Sequence, residues 1–164
     1  MENETPKILV LGVGNILYTD EGVGVRVVEH LMENYEFSDN VELMDGGTLG
    51  MRLMGPIMDV DRLIVVDAVH GGDEPGTMYR LTDDDMRKSL AFKGSMHDVD
   101  LVETLIQCDL AGHRPEAVVI GVEPYDLSTM SIEVSPQVKE KMPFMAKFVL
   151  DEVAKLGGSF KEKQ

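Results

Sequence analysis

Three side chains able to hold a metal ion, Glu21, Asp67 and His97, each stand where an apolar run gives way to a loop or a helix. Glu21 follows the run Ile8-Leu9-Val10-Leu11-Gly12-Val13-Gly14-Asn15 and the polar pair Thr19-Asp20. Asp67 closes Leu63-Ile64-Val65-Val66, and His97 opens a helical pattern just after Gly94-Ser95-Met96. In an open parallel sheet the carboxyl ends of the strands share one edge where ligands bind, so residues far apart in sequence can converge there. Two carboxylates and an imidazole form the mixed oxygen and nitrogen set that suits a divalent transition metal. Singly, each has an ordinary structural reading. Glu21 is an acid favoured by the dipole at a helix start, and Asp67 could cap the turn after its strand. His97, in a first helical turn where a cation is disfavoured, stays neutral and keeps a lone pair for a metal.

The elements that must position these groups follow from hydrophobic spacing. Ile8-Leu9-Val10-Leu11 is a continuous apolar strand, expected when both faces are covered. A helix follows over about residues 21–35, with Val28, Leu31, Met32 and Tyr35 as its buried stripe. Val41-Glu42-Leu43-Met44 is a second strand ending at Asp45-Gly46-Gly47-Thr48, and Leu49, Leu53, Met54 and Ile57 suggest a short helix bent by Pro56. Residues 63–66 form a third strand. After the Pro75-Gly76 turn, residues 77–81 read as an antiparallel edge strand. Ser95 and Asp98 fit a capping box for the helix that carries Leu101, Leu105 and Ile106. Val118-Val119-Ile120 is another strand. Ser135 and Pro136 start a last helix, apolar along Val138, Met142, Met145, Val149, Val153 and Leu156 and kinked at Pro143. This alternation predicts an α/β fold, a three-layer α/β/α sandwich around a mainly parallel twisted sheet of about five strands. One domain spans residues 1–164, with flexible tails over 1–6 and 157–164.

Bulk properties narrow the partners. A chain of 164 residues with 43% apolar and 27% charged residues is ordinary for a globular domain, but a formal charge of -15 is not. That charge repels phosphate backbones, so neither nucleic acid nor an anionic membrane surface is expected as a partner. The one cysteine, Cys108, shares a helical face with Leu101 and Leu105 and reads as core. With no intrachain disulfide, a polar acidic start and no long apolar run, the expected location is the cytoplasm.

Other chemistries fit less well. The loop Gly12-Val13-Gly14-Asn15-Ile16-Leu17 has leucine where a dinucleotide fingerprint needs its third glycine. Asp45 comes 31 positions after Gly14, beyond the usual spacing of about 20. There is no G-x-S-x-G elbow and no H-E-x-x-H helix, since Leu101 stands four residues after His97. His70, three residues after Asp67, is a spare candidate ligand. His30 reads as solvated and His113 as an ordinary loop residue. Asp45 either touches a substrate or holds its turn.

Gly12-Val13-Gly14-Asn15, Asp20-Glu21-Gly22-Val23-Gly24, Asp45-Gly46-Gly47-Thr48, Asp67-Ala68, Pro75-Gly76-Thr77 and His97, in that order, resemble the maturation endopeptidases of nickel–iron hydrogenase large subunits. The likeness runs from about Lys7 to Gly157, and it looks close to the branch that processes respiratory or uptake hydrogenases. The resemblance implies that Glu21, Asp67 and His97 bind a metal. It implies an endopeptidase that senses nickel already inserted in a precursor of the hydrogenase large subunit. Such an enzyme cuts off a short C-terminal extension just beyond the last metal-binding cysteine motif. Asp45 matches an aspartate of substrate recognition or catalysis, so the implied catalytic set is Glu21, Asp67, His97 and Asp45. Nickel would come with the precursor, no organic cofactor would be needed, and the enzyme would act as a monomer. The stretch Val69-His70-Gly71-Gly72 departs from the family pattern, so no family role carries over to His70. A non-catalytic nickel-binding chaperone or sensor using the same three residues is the alternative.

Overall fold

The computed structural model describes residues 5–48, 53–88 and 96–164, without the side chains of residues 86–88 and 96–100. Its centre is a five-stranded sheet whose strands are β1 (Ile8–Val13), β3 (Val41–Gly47), β4 (Arg62–Ala68), β5 (Met78–Thr82) and β6 (Glu116–Val122). The spatial order is β3-β1-β4-β6-β5. All pairs are parallel except β5 with β6. Thus the edge strand after Pro75-Gly76 is antiparallel, as its turn predicts. Every residue of β1 is buried, and β4 and β6 are buried except at their first residues. These are the continuous apolar runs, and helices cover both of their faces.

Alternate residues feed two separate cores. Ile8, Val10, Ile64, Val66, Val118 and Ile120 pack under α1 (Val23–Asn34) and α6 (Met142–Lys155). Leu9, Leu11, Leu63, Val65 and Val119 pack under α2 (Met54–Met58) and α4 (Met96–Leu110). A one-residue slip of β1 would exchange these faces, so the alternation fixes its register. The three-layer sandwich is as the sequence predicts. Cys108 lies in the second core beside Leu101 and Leu105, and burial pushes its thiol above its ordinary value.

Several boundaries differ from those expected. The first helix begins with a 3-10 turn, Thr19–Gly22, and ends at Asn34. Its buried face is Val23, Val27, Val28 and Leu31, while Met32 is exposed and Tyr35 opens β2 (Tyr35–Phe37). The final helix is two helices. Ser135 caps α5 (Pro136–Lys139), the chain breaks at Glu140 and Lys141, and Pro143 sits in the first turn of α6. There its missing N–H leaves no helical bond unmade, so it starts a helix in place of kinking one. Ile106 is exposed on α4.

The segment 157–164 is not a frayed tail. Phe160–Glu162 forms β7, antiparallel to β2. Tyr35, Phe37 and Phe160 cluster there, the Tyr35 and Phe160 rings meeting edge-on at 6.0 Å. Aromatic contact across the ribbon offsets the ordering entropy of a terminus rich in glycine and lysine. Met1 to Glu4, Leu49 and the Ser95 cap lie outside the described residues, and α3 (Asp83–Lys88) was not expected.

Candidate functional site

The strand order creates a crevice at one point of the carboxyl edge. From β1 the chain crosses to β3 on one side, and from β3 it crosses back past β1 to β4 on the other. The segments leaving β1 and β4 therefore diverge, and such a switch point is where open α/β sheets bind ligands. Glu21 follows β1 and Asp67 ends β4.

Two glycines let the chain turn so sharply after β1. Gly14 has φ +130°, and a Cβ there would sit 1.8 Å from the Glu21 carbonyl oxygen. A Cβ on Gly24 would sit 1.9 Å from the Val66 carbonyl oxygen. The 3-10 turn thus folds back onto Gly14, and the head of α1 lies against the end of β4, next to Asp67. The space a pyrophosphate would need against Gly14 is filled by the Glu21 backbone, which removes the nucleotide reading of this loop. Glu21 is half-buried, and its N–H donates to the Tyr18 carbonyl at 3.0 Å.

Asp67 is buried, and its Oδ1 accepts from the Ala68 N–H at 2.8 Å. In the sheet it pairs with Gly121 and belongs by alternation to the face of Leu63 and Val65. That is the face α4 covers through Leu101, Leu105 and Cys108. His97 is the second residue of α4, so its backbone stands in the first turn of that helix, as predicted. Its side chain lies outside the described residues. Among the described residues no three His, Cys, Asp or Glu side chains are arranged to hold a metal ion, so His70 does not form such a group with Glu21 and Asp67.

Asp45 also stands at the carboxyl edge. It and Val66 are both partners of Gly12, on opposite sides of β1. Two strand spacings, about 10 Å, separate it from β4. Its exposed side chain accepts from the Gly47 N–H at 2.9 Å through Oδ1, which ties the Gly46-Gly47 turn.

Sequence reasoning missed two buried acids that build this edge. Asp20 is wholly buried. Its Oδ1 accepts from the Ser135 N–H at 2.7 Å. Its Oδ2 accepts from the Ser135 hydroxyl at 2.8 Å and from the N–H groups of Tyr125 and Asp126, each at 2.9 Å. Glu123, at the end of β6, accepts from the Gly71 N–H at 2.8 Å and the Tyr79 hydroxyl at 2.6 Å. The Nδ1 of His70 lies 3.0 Å from its other oxygen. Burial first, then the bonds to Glu123 and Asp73, raise the Tyr79 hydroxyl far above its ordinary value, so it remains a donor. The spare histidine therefore lies against the Glu123 carboxylate, which also holds the Gly71 and Asp73 N–H groups. The available signals were an acid at the end of an apolar strand and an acid directly before Glu21.

The remaining histidines are peripheral. His30 is exposed beside Asn34, and His113 reaches the Val60 carbonyl through Nε2 at 2.8 Å. A cleft of about 420 Å³ lies at the opposite, amino edge, where Arg80 pairs with Glu152 and Arg114 with Asp83. None of the candidate residues lines it. Among the described residues no helix is long and apolar enough to cross a membrane.

Comparison with known proteins bears on the same residues. The family model for hydrogenase maturation protease (HycI) matches residues 25–152, which include Asp45, Asp67 and His97 but not Glu21. The hydrogenase expression/formation protein HupD of Rhizobium leguminosarum bv. viciae is 46% identical over 140 residues, covering 84% of this chain and 69% of the relative. The hydrogenase 2 maturation protease of Escherichia coli K12 is 42% identical over 135 residues, 81% of this chain and 82% of that one. The solved hydrogenase maturating endopeptidase HybD from E. coli superposes with a TM-score of 0.89 at 37% identity, covering 96% of this chain and 98% of its own.

Proposed function

This chain belongs to the hydrogenase maturation proteases, and from that premise we propose that it removes the C-terminal extension from a nickel-loaded hydrogenase large-subunit precursor. The reading is supported by the approach of the first-helix segment to the end of β4 and by the cover that α4 gives to one face of that strand. The 3-10 turn bearing Glu21 and the head of α1 pack on β4, which bears Asp67. The helix α4, whose second residue is His97, covers the face to which Asp67 belongs through Leu101, Leu105 and Cys108.

Glu21, Asp67 and His97 are the metal ligands and, with Asp45, the catalytic set. Two carboxylates and one imidazole leave coordination positions open, so groups of the precursor complete the shell of a nickel ion that the precursor brings. When bound, the metal supplies Lewis-acid polarisation of the scissile carbonyl or an activated water. The chain's own residues orient and select. The Ala68 N–H holds one oxygen of Asp67, and Asp45, tied through Oδ1, offers its other oxygen to a substrate N–H. No organic cofactor is needed. The enzyme works as a cytoplasmic monomer, a reading supported by the single buried thiol and the charge of -15, which disfavours nucleic acid and anionic membranes.

The test is incubation with nickel-loaded and nickel-free precursor, read by mass spectrometry. We expect loss of the C-terminal peptide from the loaded form alone. His97→Ala should abolish that loss while leaving circular dichroism unchanged. Binding without cleavage would support the chaperone alternative, and cleavage by the His97→Ala protein would show that the site is misassigned.

A further inference from the structure

Residues 125–135 form a strap bonded at several points to the 3-10 turn. The Asp20 N–H donates to the Asp126 carbonyl at 3.0 Å and the Thr19 N–H to the Ser131 carbonyl at 2.9 Å. The Ser131 N–H returns to the Leu17 carbonyl at 2.8 Å. The Thr19 hydroxyl donates to the Thr129 carbonyl at 2.5 Å. From beneath, the Asp20 carboxylate holds both ends of the strap, at Tyr125 and Ser135. Within it, Asp126 accepts from the N–H groups of Ser128 and Thr129.

A segment so fixed has much of its polar backbone turned inward, and beside the exposed Ser128, Thr129 and Glu133 it turns several large apolar side chains outward. Met130 is 72% exposed, Ile132 63%, Tyr125 60% and Leu17 49%. A parallel bridge between Tyr18 and Ser131 sets Leu17 alongside Met130. Single exposed apolar residues are normal on a protein surface, but a contiguous group on a rigid support marks an interaction site. Rigidity matters because a surface already ordered loses less entropy on binding.

We propose that this strap, with Leu17, is the surface on which the precursor docks, taking up an apolar segment free of acidic residues beside the scissile bond. The inference rests on the proteolytic reading above. Position selects the occupant: the strap is bonded to Thr19 and Asp20, the two residues before Glu21, so a chain lying on it lies beside the turn that bears a candidate ligand. Charge selects its chemistry. Residues 125–135 contain Asp126 and Glu133 but no lysine or arginine, and Arg26, which donates to the Ile132 carbonyl at 3.1 Å, is paired with Glu29. In a chain of net charge -15 an acidic segment would be repelled.

Steady-state cleavage of the nickel-loaded precursor by Met130→Glu/Ile132→Glu tests this. KM should rise about tenfold or more with kcat little changed, as expected when exposed anchors outside the chemistry are lost. Phe144→Glu, an exposed apolar site on α6, should leave both constants unchanged. If the glutamates disturb folding by circular dichroism, Met130→Ser/Ile132→Ser serves, with a smaller rise in KM. Unchanged KM in the folded variants overturns the docking surface while leaving the proteolytic function standing. Absence of cleavage by the unmodified enzyme would instead sink that function. A variant that merely converts a dimer to a monomer, with KM unaltered, would make the strap a contact between copies and also overturn the inference.

Discussion

Replacing Asp20 by alanine should be among the most damaging single changes outside the metal ligands. The carboxylate is wholly buried and accepts four hydrogen bonds, from the Ser135 N–H and hydroxyl and from the N–H groups of Tyr125 and Asp126. Ser135 is itself buried, so its two donors lose their acceptor with no access to water, at roughly 1–3 kcal/mol each. Tyr125 is exposed and Asp126 half-exposed, so water replaces part of what their N–H groups lose. The net loss is about 3–5 kcal/mol, which in a domain of this size lowers Tm by about 6–20 °C. Asp20→Asn keeps the shape but points an amide NH2 at one set of donors, and should lose about 1–3 kcal/mol. Urea unfolding followed by circular dichroism measures both. Hydrogen exchange should also show the amides of residues 125, 126 and 135 losing protection in the alanine variant. Cleavage should fall with them, because Glu21 is the next residue in the same turn. A loss under about 1 kcal/mol with those amides still protected would refute the account of Asp20 as the pin of this edge.

Gly24→Ala should destabilise by about 3 kcal/mol or more, because its Cβ would meet the backbone carbonyl oxygens of Val66 at 1.9 Å and Val13 at 2.8 Å, and neither can swing aside. Urea midpoints within about 1 kcal/mol of the unmodified protein would contradict that packing. The Asp126 carboxyl is held down to about 2 by the Thr129 hydroxyl and by the Thr129 and Ser128 amides, against an ordinary value of 3.8. Its folded value is the lower one, so its stabilising contribution is complete above 3.8 and disappears as pH falls through about 2. NMR titration of the folded protein should find that midpoint, and Asp126→Asn should flatten the pH dependence of stability in the same window; a midpoint near 3.8 would show that the bonds are not held in solution.

The sheet was legible because its signals are local and strong. A strand buried on both faces must be apolar along its length. β1 is so throughout, and β4 and β6 are so through residues 63–66 and 117–122, with a charged residue at the start of each and Asp67 near the end of β4. The antiparallel edge was marked by the Pro75-Gly76 turn. Other elements were hidden because their cause is a distant contact. Residues 157–164 read as a flexible tail because their glycines and lysines are local, whereas the Phe160 ring is held by the distant Tyr35 and Phe37. Pro143 looked like a kink because the apolar spacing continues across it, whereas the chain ends one helix at Lys139 and begins another at Met142.

For the site, residue types and their places at the ends of apolar runs named Glu21, Asp67 and His97 as an acid and imidazole set, because the donor atoms a side chain offers follow from its identity; Asp45 joined them only through the family resemblance. Which of their elements meet was decided by tertiary structure. Strand order made the switch point between β1 and β4, and the bare backbones of Gly14 and Gly24 let the turn bearing Glu21 close on the end of β4. Burial separated Asp20 from its neighbour Glu21, making one a structural pin and leaving the other half-exposed at the crevice. Sequence records what a side chain can do; only the packed chain fixes which donors, faces and neighbours it finds.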